Sequence, residues 1–153
     1  MTETGRRGRV EAFLRALHEQ DFERLASLIH VDYVEEYPQS GERVRGQANM
    51  LEIIRNYPGG GIKPGDVDIS GAKIVGEDEQ WVVGPSLSIV HVSGSGDEYT
   101  GVMRIHYPDG TLWYVVVVLE FRGERIARST EFFAPVFEAP AWRAGWVERY
   151  SPD

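Results

Sequence analysis

Apolar residues in the first part of the chain recur at helical spacing. Val10, Phe13, Leu14 and Leu17 fall at i, i+3, i+4 and i+7, one stripe on a helix predicted over residues 6–18. Asp21 offers a capping oxygen for a second helix with Phe22, Leu25, Leu28 and Ile29 as its apolar set. Residues 31–37 are β-branched and aromatic in character and stop at Pro38, which predicts a short strand, and residues 39–42 read as a turn. A third helix follows Gly46, aligns Met50, Leu51 and Ile54, and ends before Pro58. The run Tyr57-Pro58-Gly59-Gly60-Gly61, with Pro64 and Gly65, reads as a hinge over the mouth of a pocket.

Beyond that hinge the period changes from helical to alternating. Strands are predicted over 67–75, 80–92, 98–107, 111–121 and 125–133, with Asp109-Gly110 and Arg122-Gly123-Glu124 as hairpin turns. Pro140 opens a short helix carrying Trp142, Trp146 and Tyr150. Such a stripe packs a terminal helix onto its own domain or forms a lid, and no chemistry is assigned to it. Helices first and an antiparallel meander afterwards is an α+β order. There is no internal repeat, low-complexity tract or linker, so the reading is one domain over 1–153, with 136–153 as a C-terminal extension.

The Asp109-Gly110 turn also predicts which residues share a face. A two-residue loop sets Arg104 opposite Val115 and His106 opposite Trp113, whereas a loop one residue longer reverses the parity. On the two-residue reading Met103, Ile105 and Tyr107 join Leu112, Tyr114, Val116 and Val118 on a wholly apolar face. A strand apolar on both sides is ordinarily covered twice. Three helices cover one face, so the apolar face is predicted to meet a second subunit in a homodimer through Met103, Ile105, Tyr107, Tyr114, Val116 and Val118.

Composition removes several function classes. Sixteen Lys and Arg against 24 Asp and Glu give a net charge of −8, the wrong sign for a polyanionic partner, and no nucleic acid is expected. Arg6, Arg7 and Arg9 form the one dense basic cluster and read as a solvated terminus. The longest apolar run, 113–119, is far below the roughly 20 residues of a bilayer span. No membrane is expected, the start lacks the apolar stretch of a signal peptide, and the expected location is cytoplasmic. With no cysteine there is no disulfide or thiolate chemistry, and His18, His30, His91 and His106 include no closely spaced ligand pair. Neither metal nor cofactor is expected.

The pattern resembles the nuclear transport factor 2-like superfamily, whose enzyme branches include ketosteroid isomerases and SnoaL-like polyketide cyclases. The residues that carry the likeness are Asp21-Phe22-Glu23-Arg24-Leu25, Asp32 through Tyr37-Pro38, Gly46, and Gly123-Glu124-Arg125-Ile126 leading to Glu131, across roughly residues 8–135. The resemblance implies three N-terminal helices on a curved antiparallel (mixed) sheet that encloses a cone-shaped pocket. Carried over residue by residue, the isomerase oxyanion tyrosine falls on Phe13, its proton-shuttling aspartate on Tyr37 and its second oxyanion aspartate on Val117. None can do those jobs, so ketosteroid isomerisation by that mechanism is excluded. The same positions are implied to line the pocket: Phe13, Tyr37 and Val117, joined by Trp113 and Phe133. Tyr37 either donates a hydrogen bond to a bound oxygen or serves as an aromatic wall.

The SnoaL-like cyclases often carry an acidic residue five positions after the isoleucine of the last strand. Here Ile126 is followed at that spacing by Glu131, with Thr130 in place of the usual tryptophan. Alternation puts Ala127, Ser129, Glu131 and Phe133 on one face, and the resemblance assigns that face to the pocket. The expected catalytic set is Glu131 as base or acid, His106 as its partner and Arg104 as anchor, acting on an apolar oxygenated substrate. A structural ion pair between Arg104 and Glu131 is the alternative role for two of these groups. Glu35-Glu36 reads as a strand end, since neighbours in a strand point oppositely. Epoxide hydrolysis requires two acidic groups around a water, and Glu131 alone is placed for it. The competing function class is a non-catalytic ligand-binding or dimerisation module of the same fold.

Overall fold

A computed structural model describes residues 3–56, 91–106 and 112–151. The predicted strand over 67–75, most of that over 80–92, the Gly59–Gly61 hinge, Tyr107 and the Asp109-Gly110 turn lie outside the described residues.

Helix α1 (Glu3–Glu19) buries Val10, Phe13 and Leu14 of the predicted stripe, with Leu17 partly buried and Ala16 buried beside them. Helix α2 (Phe22–Leu28) starts where Asp21 accepts a hydrogen bond from the Arg24 N–H at 2.9 Å, satisfying a donor that the first turn leaves without an intrahelical partner. The chain then enters β1 (Ile29–Tyr37), turns, and returns as β2 (Glu42–Arg45). Helix α3 (Gln47–Arg55) begins at Gly46, whose φ of 86° favours glycine. Its buried residues are Met50 and Leu51.

Four antiparallel strands complete the described sheet: β3 (His91–Ser95), β4 (Glu98–His106), β5 (Leu112–Arg122) and β6 (Arg125–Pro135). The order is β2-β1-β6-β5-β4-β3, and β1 runs parallel to β6, so the sheet is mixed. Gly123, at φ 64°, allows the tight turn between β5 and β6. The β1–β6 register shifts between Ile29 and Val34, which kinks the first strand. The inner face packs against α1 and α2 around Leu25, Leu28, Ile29, Tyr33, Leu119 and Ile126.

The described sheet corrects three expectations. Register on β4 and β5 pairs Met103 with Val115, Arg104 with Tyr114 and Ile105 with Trp113, one residue away from the predicted pairing. The last pair among the described residues is His106–Leu112. On β6 a register shift between Glu120 and Phe121 leaves Ala127 as an extra residue, so Ile126 and Ser129 are both fully buried. The Arg6/Arg9 cluster is not a solvated terminus. Arg6 reaches Asp97 and the Gly96 and Gly123 carbonyls and lies 5.7 Å from the Phe121 ring centroid. Arg9 pairs with Glu124 at 2.8 Å. These contacts tie α1 to two β-turns.

Candidate active site

Strand alternation assembles the site. On β1, Tyr33, Glu35 and Tyr37 point inward while Glu36 points out to Arg43 and Arg128, at 2.9 and 2.7 Å. The hydrogen bonds from Arg128 and Arg43 hold the Glu36 carboxyl below its usual range. Parallel pairing sets Glu35 beside Ser129 on β6, and the next inward residues of β6 are Glu131 and Phe133. Antiparallel pairing then sets Glu131 beside Val117 and Phe133 beside Val115 on β5. The result is two carboxylates on adjacent strands of one interior face.

Each carboxylate has its own hydrogen bonds. Glu35 is 5% exposed and accepts from the Tyr33 hydroxyl at 2.7 Å and from the Tyr37 hydroxyl. Glu131 accepts from the Ser129 hydroxyl at 3.2 Å. Burial pushes the Glu35 carboxyl above its ordinary value, and the two phenols partly reverse that by donating to the charged form. Burial, with the negative charge of Glu35 added, pushes Glu131 from 4.5 to about 8. Burial also raises both tyrosines, with the Glu35 charge adding to it, so they stay protonated and remain donors. With Glu131 pushed up to about 8 beside a Glu35 that accepts from two phenols, the pair holds a proton near neutral pH and has a second carboxyl group next to it.

The interior face is graded along its length. Tyr33, Leu119, Ser129 and Ile126 are sealed beneath the helices, whereas Tyr37, Met103, Trp113, Glu131 and Phe133 keep accessible surface. The carboxylate pair therefore stands where fully buried residues give way to partly exposed ones, toward one end of the face. Tyr37 and Phe133 face each other at that end, with ring centroids 5.9 Å apart.

The structure gathers some of the expected residues and separates others. Glu131, Val117, Phe133 and Tyr37 come together, with Trp113 on the same face of β5 as Val117, and Phe13 buried in the core beneath. Arg104 pairs in register with Tyr114, on the opposite face of β4 from Met103, and His106 pairs with Leu112. Arg104 is itself buried, at 7% exposure, but on that opposite face, so it forms no interior ion pair with Glu131. The β4–β5 register, one residue from the predicted pairing, sets this displacement. Glu35 and Tyr33 join this candidate site and were not singled out by the sequence pattern. Their signal is present in the chain: Tyr33, Glu35 and Tyr37 alternate on one face of a strand, and Glu35 stands two residues before the Tyr37-Pro38 position. Among the described residues no group of His, Asp and Glu could hold a metal ion. No described helix is long and apolar enough to cross a membrane.

Helices layered on a curved mixed sheet, with polar groups facing its concave side, define the nuclear transport factor 2-like class. More narrowly, the SnoaL-like domain family matches residues 10–129, and the chain belongs to that family. Among solved structures, an NTF-2 like protein of unknown function from Burkholderia xenovorans LB400 is 27% identical, with a TM-score of 0.72 over 99% of both chains. A provisionally assigned ketosteroid isomerase from Kribbella flavida is 21% identical, with a TM-score of 0.71 over 99% of this chain and 93% of its own. An LEH-like epoxide hydrolase from M. tuberculosis is 20% identical, with a TM-score of 0.58 over 86% and 84%. The last two share the fold. No curated protein matches the chain.

Proposed function

We propose that the protein is an acid/base enzyme without a cofactor that acts on an apolar, oxygenated small molecule. The observation that carries this reading is the Glu35–Glu131 pair on one interior face, with Glu35 held by two phenols and Glu131 pushed up to about 8. Glu35 takes a proton from a carbon beside a carbonyl, or from a water, and Glu131 delivers its proton to the substrate oxygen. The aromatic walls Tyr37 and Phe133 fit an apolar body, and Trp113 shares their face. This assignment keeps Glu131 in the role expected for it and gives the partner role to Glu35 in place of His106.

Epoxide opening is a second reading favoured by the same observation, because two acidic groups can now flank a water. Both reactions are tested by one survey with small ketones, steroid-like ketones, polyketide-like aromatics and small epoxides. The expected result is a raised melting temperature with at least one compound, together with deuterium uptake beside its carbonyl in D2O or diol formation. No melting shift and no turnover above buffer across the panel would overturn the enzymatic reading and leave the binding-module alternative.

We also propose a homodimer through the outer sheet face, with its membership revised. Tyr114, Val116 and Val118 belong to that face, joined by Val102, Phe132 and the buried Arg104, whereas Met103 and Ile105 take register positions of the inner one. Phe132 is 40% exposed there, and the buried residues of β5 all alternate to the other side.

A further inference from the structure

The chain continues past strand β6 as a segment that is not packed on the domain. Val136 donates one last backbone hydrogen bond to the Leu112 carbonyl at 2.9 Å, and the chain then leaves the sheet. Pro140 starts a 3-10 helix (Ala141–Trp146). Phe137 and Trp142 are each 75% exposed, and Trp146 and Tyr150 each 83%. Four large rings in water within one short ordered segment make a surface that a monomer rarely carries. The sequence expectation of a terminal helix packed on its own domain is not met.

We propose that residues 136–150 form an arm that closes over a second copy of this chain and locks the dimer through Trp142 and Trp146. The inference rests on the homodimer reading and goes beyond it by naming the element that supplies the contact. Area supports this occupant. At the 150–250 Å² a buried aromatic side chain typically contributes, four rings at their present exposure offer roughly 500 Å² per arm. Two arms with their receiving surfaces bury about 2,000 Å², which meets the roughly 1,200–2,000 Å² of a stable interface. Charge supports it too. The arm balances Glu138 and Glu148 against Arg143 and Arg149, whereas the whole chain carries −8, so the arm can lie on another copy without the repulsion its other surfaces would meet. Placement is the third support: the arm departs from the Trp113–Pro135 end of the β5–β6 pair, and its length extended reaches roughly 45 Å, enough to cross a neighbouring subunit.

The test is sedimentation equilibrium at micromolar concentration on three proteins. They are the full chain, the W142A/W146A double substitution and a chain stopped after Val136, each checked for an unchanged far-UV spectrum. The full chain should be a dimer. Both altered chains should dissociate with a dissociation constant raised at least about 100-fold, as loss of two central aromatic anchors does. If the shortened chain fails to fold, the double substitution decides alone, because both positions are exposed in the subunit. A dimer that persists in W142A/W146A overturns the arm and leaves the sheet-face dimer standing. A monomeric full chain overturns both. Co-sedimentation of that monomer with phosphatidylcholine/phosphatidylserine vesicles would assign the tryptophans to a membrane surface instead.

Discussion

Glu131→Gln and Glu35→Gln should each lower turnover by at least about 100-fold while leaving the fold intact. The magnitude follows from the division of labour in the pair. Glutamine at 131 keeps the shape and can still take the Ser129 hydroxyl at 3.2 Å, but it carries no acidic proton to deliver. Glutamine at 35 keeps an acceptor oxygen for one of the Tyr33 and Tyr37 hydroxyls, which bond to different carboxylate oxygens, and loses the base. The two differ in their effect on stability. Glu131 is raised from 4.5 to about 8, so between those values the unfolded chain releases a proton that the native state retains. Native stability therefore falls as pH rises through that window and levels off above it. Glu131→Gln does not titrate, so it should melt higher than the parent at pH 8 by at least about 2–4 °C, the shift that 1 kcal/mol produces in a chain of this size. The difference should vanish near pH 4. Full turnover in either variant would remove that residue from the mechanism, whatever its melting curve.

Ile126→Ala should be the most damaging change to stability, costing about 2–5 kcal/mol. Ile126 is fully buried, pairs with Ile29 across the parallel β1–β6 contact and with Phe121 across the β5–β6 turn. It is also the residue the bulge at Ala127 turns inward together with Ser129. Truncation removes apolar burial and leaves a cavity between elements that cannot close on it without breaking the kinked β1–β6 register. Against a typical total of roughly 5–15 kcal/mol, that is a large share. Val31, 74% exposed on the neighbouring strand, is the control, and Val31→Ala should change stability by less than about 0.5 kcal/mol. Denaturant midpoints for the two variants check both values. Equal, small shifts would contradict the burial map.

Most of the fold is legible in the sequence because its signals are local. The α1 stripe, the Asp21 cap, the Gly46 start of α3 and the Gly123 turn each depend on residues a few positions apart, and the structure shows all four. Strand β2 leaves little trace in the pattern because it is four residues long with Val44 as its one apolar member. The site is half legible. Glu131 and Phe133 follow from alternation along one strand. The β4 partners depend on the length of a connection, and a one-residue error in register moves every side chain to the other face. That single step separates Arg104 from the site face and brings Met103 onto it. Glu35 is hidden for a different reason. Considered with Glu36 it is half of a pair that cannot converge, whereas considered with Tyr33 and Tyr37 it is the centre of an inward triplet.

The proposed chemistry stands on Glu35 and Glu131 sharing an interior site in which one holds its proton at neutral pH. Carboxyl 13C chemical shifts of the two glutamates, followed from pH 3 to 10 in the parent and in Glu35→Gln, test it most directly. Glu131 should titrate near 8 in the parent and move downward once the Glu35 charge is removed. Two independent titrations in the ordinary range near 4.5, unaffected by the substitution, would contradict it.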